Sequence, residues 1–208
     1  MAQERTSEIL ARARNTLDTA CLGLSDVRGQ PARRLSGLRN LVVFGRAVTN
    51  VLQNLRSTES DFDEWYEPWK QNFASDPLMK FFYELRTRIL KRGDTGVGTF
   101  THIRHFEFPI DMKKFGPPPK NAKAFFIGDT NGGTGWEVEV SPGAVEKYYV
   151  DLPSEIGTSG LYFHEAPGVA DCDKVTEAEV VTLSERYIVR LQEILKSAQV
   201  RFGGKSDV

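Results

Sequence analysis

The chain has 208 residues, a mass of 23.4 kDa, and 27 Lys+Arg against 28 Asp+Glu, for a formal charge of −1. With 40% apolar and 26% charged residues, a core that removes roughly 70% of the unfolded surface from water is within reach, which excludes global disorder. No apolar run approaches about 20 residues, so the sequence predicts no transmembrane helix.

The first 93 residues carry a helical period. Leu10, Ala13, Leu17, Cys21 and Leu24 recur at spacings of three and four, an amphipathic stripe. Gly29-Gln30-Pro31 ends this helix and starts the next, with proline in a first turn where its missing N–H has no intrahelical partner. The second stripe is the clearest in the chain: Leu35, Leu38, Val42, Gly45, Val48, Leu52 and Leu55. Asp61 to Phe73 is aromatic-rich, with Trp65, Trp69 and Phe73 on one helix face. Pro68 disfavours helical geometry at Glu67 and predicts a kink or restart there. Ser75-Asp76-Pro77 is a cap followed by proline at the first helical position, opening a fourth helix with Leu78, Phe82, Leu85 and Ile89. Lys91 and Arg92 sit at its negative end and Gly93 closes it. Four helices with short connections predict an antiparallel bundle.

After Gly93 the period changes. Thr99 to Phe108 alternates, with Phe100, His102, Arg104, Phe106 and Phe108 on one side. Ala122 to Ile127 reads as a strand, Gly128 to Gly135 as a turn with Asn131-Gly132 in the positive-φ positions, Trp136 to Val140 as a strand, and Val145 to Leu152 as another. These predict a small antiparallel sheet of three to five strands. A last helix spans about Thr176 to Ala198, with the stripe Val180, Ser184, Tyr187, Leu191, Ile194 and Ala198. The fold class expected is therefore α+β, in two parts. Residues 1–93 form a helical bundle. Residues 94–208 form a small antiparallel sheet plus a C-terminal helix that packs back, on the sheet or into the bundle.

The near-zero net charge conceals an asymmetry. Residues 1–93 hold 15 bases and 11 acids, and residues 94–208 hold 12 bases and 17 acids. From Arg5 to Arg56 there are nine arginines and three acids. That pattern offers either a polyanion-binding face or helix surfaces neutralised by the acidic part. Arg39 and Arg46, at i and i+7 on the long helix, are the candidate polyanion-binding residues. Trp65 and Trp69 are candidate binding residues of another kind, serving as bundle core or as a dimer contact.

The remaining motifs give no complete catalytic set. His102-x-x-His105 points to opposite faces if it lies on a strand, so no metal site and no cofactor are expected. Gly128 to Gly135 feeds a strand rather than a helix N-terminus, and so reads as a hairpin turn and not a phosphate loop. Glu137 and Glu139 read as a solvated strand face, and Cys21 as a small core residue. Cys21 and Cys172 show no C-x-x-C pattern, and residues 1–15 show no apolar h-region; both point to a cytoplasmic protein.

Phe82-Tyr83-Glu84-Leu85-Arg86-Thr87-Arg88-Ile89-Leu90-Lys91 resembles the terminal helix of HEPN domains, four-helix proteins named for higher eukaryotes and prokaryotes nucleotide binding. In that family a late helix carries Leu-Arg-Asn followed several residues later by histidine. The resemblance covers about residues 5–93. It implies a helical bundle and metal-independent RNA cleavage across a dimer, with arginine and histidine acting on the phosphate and the attacking 2′-hydroxyl. Arg86 stands in the arginine position, Thr87 replaces the asparagine, and Lys91 stands where histidine would be. An ordinary lysine stays protonated near neutral pH, so Lys91 suits phosphate charge better than proton transfer. Two functions follow as expectations: a non-catalytic binding or regulatory protein on a HEPN-like bundle, or an RNA-cleaving enzyme using Arg86 and Lys91. The partners expected are a second copy or another protein, with nucleic acid as a further option and no membrane.

Overall fold

A computed structural model describes residues 5–167 and 179–204. Five α-helices, α1 (Thr6–Arg28), α2 (Arg34–Leu52), α3 (Phe62–Ser75), α4 (Pro77–Arg92) and α5 (Val180–Phe202), are joined by short 3-10 turns and five strands. The strands are β1 (Val97–Ile103), β2 (Ala122–Ile127), β3 (Thr134–Ser141), β4 (Ala144–Val150) and β5 (Gly157–Phe163). The architecture is α+β, as the change of period at Gly93 implies.

Helices α1 and α2 form an antiparallel hairpin about the Gly29–Pro31 turn. Their backbones touch where Gly23 meets Gly37. A Cβ built on Gly37 would stand 2.7 Å from the Gly23 carbonyl oxygen and 2.6 Å from Asp26 Cβ, so only glycine fits this crossing. Helix α5 lies against α1, α2, α4 and β5. Its stripe, from Val180 through Tyr187 and Leu191 to Ala198, is buried along its whole length. The fourth helix of the core is thus α5, and the apolar core runs from Ile9 to Phe202 across the boundary drawn at Gly93. The helix begins at Val180; the expected start near Thr176, Cys172 and the last four residues lie outside the described residues.

Helix α3 runs unbroken through Pro68, against the kink or restart expected. Pro68 and Glu64, four residues before it, are both exposed. The carbonyl left without its N–H partner can therefore be solvated, and the helix continues. The cap at the start of α4 forms as read: the Asp76 carboxylate accepts from Leu78 N at 2.9 Å and Met79 N at 3.4 Å. Gly93 ends α4 with φ 70°, a left-handed closure that glycine adopts without strain.

The strands form two sheets where a single one was expected. β1 pairs antiparallel with β5, and β2-β3-β4 is a separate antiparallel meander. β5 (Gly-Thr-Ser-Gly-Leu-Tyr-Phe) was not read from the sequence, because its glycines dilute the alternation. It is nonetheless the strand that attaches to the helices, through buried Leu161 and Phe163, the latter edge-on to Phe81 and Phe82. β1 ends at Ile103; the later residues of the alternating run leave the sheet and lead into a 3-10 turn at Ile110–Phe115. The meander builds a small aromatic core of its own, Phe115 on Phe125 on Trp136, with centroids 4.7 and 4.8 Å apart.

Candidate ligand cleft and basic seam

α2 and α4 run antiparallel, and two contacts fix their register. The Arg46 guanidinium lies over the Tyr83 ring at 5.5 Å, and Arg39 Nη2 donates to the Gly93 carbonyl at 3.2 Å. Tyr83, Arg86 and Leu90, at spacings of three and four, therefore form the edge of α4 turned toward α2. Arg86 is half-buried there, and its Nε has no hydrogen-bond partner among the described residues. Lys91 is exposed on the outer side of α4. Five residues at about 100° each separate the two side chains by roughly 140° around the helix axis. Arg86 and Lys91 therefore stand on different faces of α4.

Beneath the seam is a cleft of about 390 Å³ where α2, α3, α4 and α5 meet, within the size range of small-molecule sites. Met79, Tyr187 and Leu191 make its floor, Tyr66 and Phe73 its wall, and Arg46, Lys70 and Lys80 stand at it, with Glu84 the one acid in the lining. Each part is held in place. Tyr187 stacks on Phe82 with centroids 4.1 Å apart and planes 7° apart, and burial pushes its phenol well above the ordinary range. Tyr66 is held by Gln53 Nε2 at 3.3 Å and stacks on Phe62. Arg46 donates to Thr49 Oγ1 and, at 2.9 Å, to Asn50 Oδ1. On the far side Arg190 lies over Phe73 at 5.6 Å and pairs with Asp76.

The charges separate into two groups. Arg28 pairs with Glu185 and Arg88 with Glu165, as an acidic part facing a basic one implies. Arg190 with Asp76 and Arg201 with Asp61 run in the opposite sense. Among the described residues, Arg39, Arg46, Lys80 and Arg86, at the seam and its cleft, form no ion pair with a carboxylate. Among the described residues, the acidic part therefore places no carboxylate on these cations.

Trp65 is turned inward. Its Nε1 donates to Ser197 Oγ at 3.0 Å, and its ring meets Phe202 edge-on at 5.3 Å, so it fastens α3 to α5. Trp69 is half-buried, edge-on to Phe73. His102 and His105 are both exposed, and no group of three or more metal-ligating side chains is found among the described residues. Cys21 is half-buried, and burial pushes its thiol up, away from a reactive thiolate. Glu139 is tied to Lys123 at 2.7 Å, and Glu137 stands opposite Lys147 in the β3–β4 register.

The Gly128–Gly135 segment is a hairpin turn organised by Asp129. Its Oδ1 accepts from Asn131 N at 2.9 Å and Gly133 N at 2.8 Å, and its Oδ2 from Lys147 Nζ at 2.8 Å and Tyr149 Oη at 2.7 Å. Burial pushes this carboxyl up, but the hydrogen bonds outweigh it and hold the group at about 2. The turn's N–H groups are therefore occupied by the protein's own carboxylate. This organiser was not singled out from the sequence, although the Asp-x-Asn-x-Gly spacing is its signal.

The fold defines an α+β protein whose cleft and cationic seam lie on a helical core. A family model described as bacteriophage lambda protein ea47 matches residues 31–112. That span takes in α2, α3, α4 and β1, and with them Arg39, Arg46, Trp65, Trp69, Arg86 and Lys91; it leaves out α1, the meander, β5 and α5. Neither the curated proteins nor the solved structures contain a match. No helix among the described residues is long and apolar enough to cross a membrane.

Proposed function

We propose that the protein is a non-catalytic binding protein whose ligand surface is the α2–α4 seam with the cleft beneath it, and that its ligand is a nucleic acid. The observation that supports this reading is the set of four cations, Arg39, Arg46, Lys80 and Arg86, without carboxylate partners among the described residues. Phosphates attract such cations and release counterions on binding. Tyr83, 53% exposed beside Arg46, adds a face on which a base can stack. The residue that stands where the HEPN family carries histidine is lysine, which suits phosphate charge better than proton transfer, and this favours binding over chemistry. Trp65 and Trp69 are engaged within the chain, so the reading does not depend on a second subunit.

The test uses the full chain and labelled single-stranded RNA and DNA, followed by anisotropy, with a parallel incubation to look for cleavage with and without chelator. The expected result is salt-sensitive binding, weakened in Arg46→Ala and Arg86→Ala, with the RNA intact. No binding at low salt would overturn the proposal. Cleavage lost in Arg86→Ala would replace it with the enzymatic reading.

A further inference from the structure

A second cavity, of about 490 Å³, lies where the α1–α2 turn meets the Asp129 turn, the end of β4 and Ser159 of β5. Its wall differs from the cleft in chemistry, with Arg34, Asp151, Ser159 and the glycines Gly132 and Gly133 among its residues. Arg34 is half-buried and spends one nitrogen, Nη1, on the carbonyls of Asn131 at 3.0 Å and Gly132 at 2.6 Å. It has no carboxylate partner among the described residues. The nearby Asp129 already accepts four hydrogen bonds. Desolvation lowers the proton affinity of the Arg34 guanidinium, as expected for a cation short of compensating charge. A smaller cavity of about 240 Å³ adjoins, with Arg34 and Ser159 in both linings.

Thr134 is 2% exposed, and its Oγ1 has no hydrogen-bond partner among the described residues. It sits opposite Val150, another wall residue, in the β3–β4 register. That hydroxyl has almost no accessible surface, so it is sealed beneath the wall and does not open onto the cavity. The wall is rigid. A Cβ on Gly133 would stand 2.4 Å from the Tyr149 ring and 2.7 Å from Pro31 Cβ, so the turn is wedged against the α1–α2 connection. Ser159 Oγ donates to the Gly132 carbonyl at 3.0 Å and keeps its lone pairs free to accept.

We propose that this cavity binds a small phosphorylated polyol, with the phosphoryl group on the open side of the Arg34 guanidinium and the hydroxylated body against Ser159 and Asp151. The guanidinium fork matches a phosphoryl group. Asp151, the one carboxylate in the wall, accepts from a ligand hydroxyl and repels a second anionic group. The cavity exceeds what a bare anion fills. The turn itself does not cradle the phosphate, since the N–H groups of Asn131 and Gly133 are taken by Asp129.

The experiment is calorimetric titration of the full chain with ribose 5-phosphate, inorganic phosphate and ribose. Ribose 5-phosphate should bind, inorganic phosphate about tenfold more weakly, and ribose not measurably. Arg34→Lys should weaken ribose 5-phosphate by about tenfold or more. Ser159→Ala removes an acceptor from the wall, so it should weaken binding several-fold. Arg46→Ala, on the other cavity, should leave this binding unchanged. No heat up to about 10 mM ribose 5-phosphate, equal binding of inorganic phosphate, or undiminished affinity in both Arg34→Lys and Ser159→Ala would each overturn the proposal.

Discussion

Replacing Asp129 with asparagine tests whether one buried carboxylate holds the meander in shape. In the wild type both oxygens accept, Oδ1 from two backbone N–H groups and Oδ2 from Lys147 and Tyr149. Asparagine keeps one acceptor and turns an NH₂ toward an ammonium and a phenol. The carboxyl lies at about 2 against an ordinary 3.8. At about 1.4 kcal/mol per unit, that shift is worth at most about 2.5 kcal/mol of stability. Asp129 is 6% exposed, but Lys147 is 39% exposed, so solvent screening reduces the figure to about 1–2 kcal/mol. Because the folded value lies below the unfolded one, this stability is fully present above about pH 4 and is lost as the pH falls toward about 2. Urea unfolding followed by tryptophan fluorescence measures it, with Trp136 reporting on the meander. Asp129→Asn should unfold at lower urea than wild type at pH 7, and the two curves should converge as the pH approaches about 2. Equal stability at pH 7, or a gap that does not shrink in acid, would refute the reasoning.

Three further outcomes follow from the packing. Gly37→Ala gains about 0.5–1 kcal/mol of helix propensity but drives a Cβ into the Gly23 carbonyl, which costs about 1–3 kcal/mol, so a net loss of stability is expected in denaturant melts. Trp65→Phe removes the hydrogen bond to Ser197, worth about 1 kcal/mol, and should lower the melting temperature by about 2–4 °C without changing far-UV circular dichroism. Leu191→Ala, at a position 0% exposed beneath the cleft, should cost about 2–5 kcal/mol in urea unfolding.

The helical part of the fold was legible because its stripes are long and period-matched. Leu38, Val42, Val48 and Leu52 are all buried as their spacing implies, and Asp76 caps α4 where its residue type and the following proline place it. What escaped was non-local. Nothing in the stripe of α5 says that it becomes the fourth core helix, because a stripe records that a face is buried and not against what. β5 was missed because it is held by pairing with β1 and by Leu161 and Phe163 against the helices, and its own alternation is weak. The division into two sheets depends on where strands pair, which periodicity does not encode. At the site, the helical spacing of Arg39 and Arg46 was visible, but their alignment with Tyr83 and Arg86 requires the antiparallel register of α2 and α4. Asp129 was passed over because the glycines of a turn signal its backbone geometry and not the carboxylate that organises it.

The most direct test of the central claim is the salt dependence of single-stranded nucleic acid binding. If the four seam cations all meet phosphates, the logarithm of affinity should fall with the logarithm of salt at a slope of about −2.8, and each cation removed should flatten it by about 0.7. Arg39→Ala and Arg46→Ala should each show that reduction, while Arg104→Ala, whose guanidinium donates to the Ser154 carbonyl away from the seam, should show none. Equal slopes in all four proteins, or no binding at low salt, would contradict the assignment of the α2–α4 seam.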